Sequence, residues 1–229
     1  MQSYSSDALV LRTHRYGEAD CIVVFLTADR GKKRGVAKNA AKSRRRFGGA
    51  LEPLTRGTAT YVEREHRELV WLDRIAPTTS ALRARDLKGP GSEDDSGGLD
   101  AHALSHLAYF AELLDEWAQD NQANERLFRL GAAVGQALHG GGAPEALARY
   151  FEYWLLRLEG VYPGIDACDL SEAARAFLTD ASVRTPEQVG ATAVPADALR
   201  EMEHVHYRLI ATHLEKELRS ARVIQELRS

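Results

Sequence analysis

The sequence predicts an α+β protein, a small five-stranded β-barrel at the N-terminus followed by a mainly α-helical domain. Three observations predict it. Between Ser6 and Ala76 the chain alternates short β-branched apolar runs with glycine and polar turns; beyond residue 101 apolar residues recur at helical spacing. Within the strand-forming part, Arg30–Arg46 holds nine cations and no carboxylate.

The strands read as ALVLRTHR (8–15), CIVVFLT (21–27), KKRGVAK (32–38), TRGTATYVE (55–63) and ELVWLDRIA (68–76). Tyr16-Gly17-Glu18-Ala19-Asp20 joins the first two, with Gly17 suited to a turn. No helical pattern separates the first three strands, which argues for an antiparallel sheet curled into a barrel and against a parallel array with crossover helices. Five strands in about 70 residues is the size of an OB-type barrel. That places one domain at 1–79 and a second at 80–229.

The segment KGPGSEDDSGG, Lys88 to Gly98, is acidic, turn-forming and without an apolar residue, and predicts a mobile loop. Leu104, Leu107, Ala108, Ala111 and Leu114 then mark one amphipathic helix, Leu127, Leu130, Val134 and Leu138 a second, and Leu147, Phe151, Trp154, Leu155 and Leu158 a third. Asn121 and Asn124 separate the first two; His139-Gly-Gly-Gly-Ala-Pro144 stops the second and starts the third. Residues 160–195 are weakly patterned, with one short helix at Ser171–Leu178 that Ser171 can cap. From Leu199 to Leu214 helical spacing returns, predicting a long C-terminal helix, 196–220, that packs back on the others.

Charge narrows the function. The chain has 30 basic and 33 acidic residues, so without the nine cations of Arg30–Arg46 the remainder carries −12. A concentrated basic patch on an acidic protein suits a polyphosphate backbone, whose binding releases counterions. The candidate DNA contacts are Lys32, Lys33, Arg34, Lys38, Lys42, Arg44, Arg45 and Arg46. Arg44-Arg45-Arg46 is expected to be the most sensitive part, because guanidinium groups bridge phosphate oxygens. Tyr16, Phe47 and Tyr61 are the aromatic residues available to stack on bases, and Phe47 can equally close the barrel core. A solvated turn is the competing reading of the whole segment.

Other chemistries lack their residues. Gly31-Lys32-Lys33-Arg34-Gly35 does not have the spacing of a nucleotide-binding P-loop, Glu18 and Asp20 read as turn carboxylates, and His102 with His106 lacks the glutamate of a zinc-protease helix and reads as a surface pair. No catalytic constellation is present, so the expectation is a protein that is not an enzyme and uses no cofactor. No stretch has the roughly 20 apolar residues of a membrane span, and the N-terminus lacks the build of a signal peptide. With only Cys21 and Cys168 for thiols, a reducing cytoplasmic location is expected.

Four stretches carry a family likeness. Ala8 to Thr55 contains an apolar strand, Tyr-Gly-Glu-x-Asp, a second apolar strand, Gly-Lys-x-x-Gly-Val-Ala-Lys, a basic loop, Phe-Gly and Leu-Glu-Pro. The others are Tyr109–Leu114, Asn124–Phe128 and Phe151–Pro163. In these the chain resembles the RecO family of bacterial DNA repair proteins, which are recombination mediators. The resemblance implies an N-terminal OB-fold that binds single- and double-stranded DNA, anneals complementary strands and helps load a recombinase on coated strands. It also implies RecR and the C-terminal tail of the single-stranded DNA-binding protein SSB as partners, work at the bacterial nucleoid, and a helical domain that receives that tail. Arg126, Arg149 and Arg157 are the candidate cations for the tail. Many members carry two Cys-x-x-Cys pairs after a Tyr-x-Pro motif; here Tyr162-x-x-x-x-x-Cys168 keeps one thiol and Ser171 stands where its partner would be. A closed zinc site needs four ligands, so residues 160–195 must fold by packing or stay loose. The alternative function is a generic OB-fold RNA-binding or translation-associated module.

Overall fold

The structure is a computed structural model that describes residues 1–40, 42–47, 49–64, 67–79 and 100–228. The β-branched runs form β1 (Gln2–Tyr16), β2 (Asp20–Thr27), β3 (Gly31–Ala37), β4 (Arg56–Glu63) and β5 (Leu69–Thr79), with a short helix α1 (Arg44–Phe47) between β3 and β4. They close into a barrel in the order β1-β2-β3-β5-β4, which is an OB-fold. The sheet is not wholly antiparallel, because β3 and β5 pair in parallel. Parity requires this: five strands around a closed ring cannot all alternate in direction, so one neighbouring pair must run the same way.

The first strand begins earlier than its apolar run. Gln2–Leu9 pairs with β4, and Ala8–Tyr16 with β2, so one long strand serves two neighbours and closes the ring. Its polar start, QSYSSD, carries no apolar signal, and only the partner strand reveals it. Inward positions alternate along the strands, as a pleated sheet requires: Val10, Val23, Phe25, Ala59, Tyr61, Leu72 and Ile75 fill the barrel. Leu9, Leu11, Val24 and Leu26 are buried on the other face, where helix α2 (Ala101–Trp117) packs against β1 and β2. Strands covered on both faces read as continuous apolar runs, which accounts for ALVL and VVFL.

Asp100 caps α2, accepting a hydrogen bond from the Ala103 N–H at 2.7 Å. The stretch Gln119–Gln122 after α2 docks on β3: Lys32 N–H donates to Gln119 O and Asn121 N–H to Lys32 O. Gly31 permits the approach. Its φ is +70°, and a Cβ there would stand 2.2 Å from the Gln122 carbonyl oxygen.

By compactness the chain divides into Met1–Ala132 and Ala133–Ser229, so α2 belongs with the barrel. Helix α3 (Glu125–His139), started by the Asn124 side chain accepting from Leu127 N–H, runs from the first unit into the second. The second unit contains α4 (Pro144–Leu158), α5 (Glu172–Ala181), α6 (Pro186–Gly190), α7 (Ala196–Leu214) and α8 (Arg219–Arg228). Residues 160–195 pack: Cys168, Leu170, Phe177, Leu178 and Val189 are buried, Ser171 caps α5, and Thr185 with Gln188 forms a capping box on α6. The C-terminal stretch is two helices and not one, because Glu215 takes a left-handed conformation at φ 53° and ends α7. Helix α7 packs on α4. The acidic segment Lys88–Gly98 lies outside the described residues.

Candidate nucleic-acid interface

The basic segment divides at the end of β3. Alternation turns Lys33 inward, opposite Phe25, and Lys32 outward. Lys33 is 7% exposed and donates to Glu63 at 2.5 Å and Asn121 Oδ1 at 2.8 Å. Lys32 is 8% exposed and lies under the end of α2, 3.3 Å from the Asp115 carboxylate, which Arg12 also holds at 2.9 Å. Both lysines are therefore buried structural cations and not phosphate contacts; ionised groups are buried only when paired, and these pairs tie β3 to its neighbours. Arg34 is half exposed and 3.5 Å from Asp120, while Arg30 lies over the Tyr4 ring at 3.8 Å.

Beyond Ala37 the chain leaves the sheet, and Lys38 and Lys42 face solvent. Lys38 is exposed and 3.3 Å from Asp20. The Asp20 carboxylate also accepts from Asn39 N–H at 2.8 Å, and that backbone hydrogen bond, with Lys38 assisting, holds its pKa below the ordinary carboxylate value. Lys42 is exposed and makes no ion pair among the described residues. Arg44, Arg45 and Arg46 form α1, which ends in Phe47. Phe47 is 2% exposed and belongs to the barrel core with Tyr61, Leu72 and Ile75. It does not stack on bases; it pins the arginine turn to the barrel beside β5, where Arg46 approaches Asp73 at 3.9 Å and donates to the Lys38 carbonyl. Tyr61 is wholly buried as well. Its hydroxyl pKa is raised, chiefly by desolvation. Of the three expected aromatic residues only Tyr16, 53% exposed beside the β1–β2 turn, is presented to solvent.

One aromatic residue was missed. Trp71 is 36% exposed on β5, with the Arg64 guanidinium 5.3 Å from its ring centre. The signal was in the alternation: Val70 and Leu72 are the inward residues of ELVWLDRIA, which leaves Leu69, Trp71 and Asp73 outward. A tryptophan in an apolar run reads as core until the phase is known.

The helical candidates differ in their surroundings. Arg149 is 3% exposed, bonded to Glu152 at 2.8 Å and 3.5 Å from Glu203, and Glu152 also binds His206 Nδ1 at 2.9 Å. A cation held among buried carboxylates cannot receive an acidic tail. Arg157 is exposed, donates to the Tyr153 hydroxyl at 2.8 Å and lies near the Trp154 ring. Arg126 is exposed in the first turn of α3. Nor is the histidine pair on the surface: His106 is fully buried on α2, its Nδ1 2.8 Å from His102 O.

The surroundings of Cys168 do not fit zinc. Its thiol lies 3.3 Å from the Gly164 carbonyl, and the Ser171 hydroxyl caps α5 while donating to Glu201 at 2.5 Å. One thiol and an occupied hydroxyl are not the donor set of a closed site.

Two family models match the sequence: Recombination protein O N terminal over residues 1–81, and Recombination protein O C terminal over residues 98–182. Among curated proteins, the chain is 40% identical over 164 residues to the DNA repair protein RecO of Koribacter versatilis, covering 71% of this chain and 61% of that protein. Against the DNA repair protein RecO of Anaeromyxobacter sp. (strain K) the identity is 39% over 162 residues, 70% of this chain and 58% of the relative. Against that of Geobacter sulfurreducens it is 38% over 168 residues, 73% and 63%. The chain spans about three fifths of the length of these relatives. One model covers the barrel and the other the helices α2 to α5, and the chain belongs to the RecO family.

Proposed function

We propose that the protein is a recombination mediator of DNA repair, which binds single- and double-stranded DNA through its barrel and anneals complementary strands. The observation that carries this reading is the loop half of the basic segment: Lys38, Lys42 and the arginine turn stand outside the sheet, held at its edge by a buried Phe47. Cations on a pinned turn can lie along a phosphate backbone without first being ordered, which lowers the entropy cost of binding. Membership of a family whose curated members are described as DNA repair proteins supports the same reading.

Annealing needs no turnover. Partial neutralisation of two backbones removes much of their mutual repulsion, and base pairing then supplies specificity. The protein is accordingly read as a non-enzymatic, nucleotide-independent factor that works at the bacterial nucleoid with RecR and SSB to help recombinase loading. For the acidic SSB tail, the second unit offers a cavity of about 870 Å³ lined by Val161, Pro163, Val205 and Leu209, with Arg208, His213 and Asp169 also in the lining. An apolar pocket with a guanidinium group in its lining suits the chemistry of such a tail.

The test is annealing of SSB-coated complementary strands by the full chain, in chelator and without nucleotide, against the triple variant Arg44→Glu, Arg45→Glu, Arg46→Glu. Annealing by the wild type and its loss in the variant are expected. Binding of naked strands without annealing by either protein would reduce the reading to a simple nucleic-acid-binding module. Tighter binding to RNA than to DNA of the same sequence would favour a translation-associated role.

A further inference from the structure

Strand pairing sets an apolar row across the outer face of the barrel. Ile22 on β2 is opposite Val36 on β3, Val36 pairs with Trp71 on β5, and Trp71 pairs with Val62 on β4. Residues opposite one another share a face, and all four are only partly buried. Elsewhere outward apolar residues such as Leu9 and Leu26 are completely buried. Trp71 stands in the middle of this row with its indole 36% exposed.

One cation lies over the ring, and others belong to neighbouring positions of the chain. Arg64 lies over it at 5.3 Å. On β3, Arg34 pairs with Leu69, one outward position from Trp71. On the far side, Asp73 is the next outward residue of β5 and draws in Arg46 from α1. A flat aromatic surface with a guanidinium group over it fits a polyanion that offers flat apolar faces at intervals. A single nucleic-acid strand has that chemistry, and a duplex does not, because its base faces are already stacked on each other.

We propose that Trp71 is a base-stacking platform that gives the barrel its preference for single-stranded over double-stranded nucleic acid. Arg64 and the arginine turn take the phosphates on either side of the stacked nucleotide. This rests on the nucleic-acid-binding reading above and deepens it, separating two jobs within one surface: cations supply affinity for any backbone, and the indole supplies selection for unpaired bases.

The test uses the full chain with fluorescein-labelled oligo(dT) and a duplex of equal length, comparing wild type, Trp71→Ala and Trp71→Phe. Trp71→Ala should bind oligo(dT) about tenfold more weakly, the loss expected for one stacked base. Its salt slope should be unchanged, because the same phosphates are neutralised, and its duplex affinity should match the wild type. Trp71→Phe should keep most of the single-strand affinity. Intrinsic fluorescence is an independent measurement: oligo(dT) should quench the wild type and leave Trp71→Phe, which retains the buried Trp117 and half-buried Trp154, nearly unquenched. Wild-type affinity for oligo(dT) in Trp71→Ala, or no quenching on binding, overturns the stacking role while leaving the DNA-binding reading intact. A wild type that binds neither strand form overturns both.

Discussion

Within one run of nine cations, the strand half Arg30–Arg34 and the loop half Lys38–Arg46 have opposite fates. On β3 two of the three charges are drawn into the fold, where Lys32 meets Asp115 and Lys33 meets Glu63, both lysines under a tenth exposed. After Ala37, Lys38 and Lys42 are exposed, and the buried residue that anchors the loop is an apolar one, Phe47. The difference follows from pairing geometry: a strand locked between neighbours and covered by α2 and Gln119–Gln122 turns successive side chains to places that are closed, whereas a loop does not. By count the halves hold four and five cations, yet two of the four in the strand half are closed off from a polyanion.

The strand half can be broken most severely at Gly31. Gly31→Ala places a Cβ against the Gln122 backbone at a positive φ, and a loss on the order of 4 kcal/mol is expected in urea denaturation, with DNA binding lost only as the fold is lost. In the loop half, Phe47→Ala should cost about 3 kcal/mol and also weaken DNA binding in whatever fraction remains folded, because the arginine turn loses its anchor. Phe47→Leu should retain most of both properties.

A matched pair of lysines sharpens the comparison. Lys32→Ala leaves Asp115 buried with only Arg12 beside it and should cost about 3 kcal/mol of stability. Lys42→Ala should change stability by less than about 0.5 kcal/mol, while reducing the slope of log affinity against log salt on single strands by about 0.7. Equal effects of the two substitutions on the salt slope would contradict the division drawn here.

Smaller effects come from single titrating groups. Burial keeps the His206 pKa below its ordinary 6.5, chiefly by desolvation, although its hydrogen bond to Glu152 opposes this. The unfolded chain therefore binds more protons between the folded value and 6.5. This contribution to stability is complete above about pH 6.5 and declines as pH falls through that window, by at most about 1.4 kcal/mol per pH unit. His206→Gln, which keeps a donor for Glu152, should flatten the decline in thermal melts taken across that range. Asp20 has the opposite sign: its lowered pKa contributes stability above its ordinary 3.8 that is lost as pH falls through the folded value. Asp20→Asn should release Lys38 and raise DNA affinity roughly twofold at low salt.

Much of the architecture was legible because apolar periodicity is a local property. The strands from Ala8 onward, the three helices beginning near residue 101 and the Ser171 cap each follow from a few neighbouring residues. The polar start of β1 was not legible, since its partner β4 lies some fifty residues away. The break in the C-terminal helix at Glu215 was also hidden: no glycine or proline marks it, and the left-handed turn appears only in the backbone.

By itself the sequence determined that a basic segment sits on a small barrel ahead of a helical half, because composition and periodicity survive without coordinates. Tertiary structure alone decided which of those cations are free. Lys32, Lys33 and Arg149 each found a carboxylate at long or short range, and the desolvation of an ionised side chain makes such pairing obligatory. The phase of β5 likewise decided that Trp71 faces outward, and that of β4 that Tyr61 faces inward. An aromatic side chain has the same hydrophobicity in either place, and only the register of its strand assigns it a side.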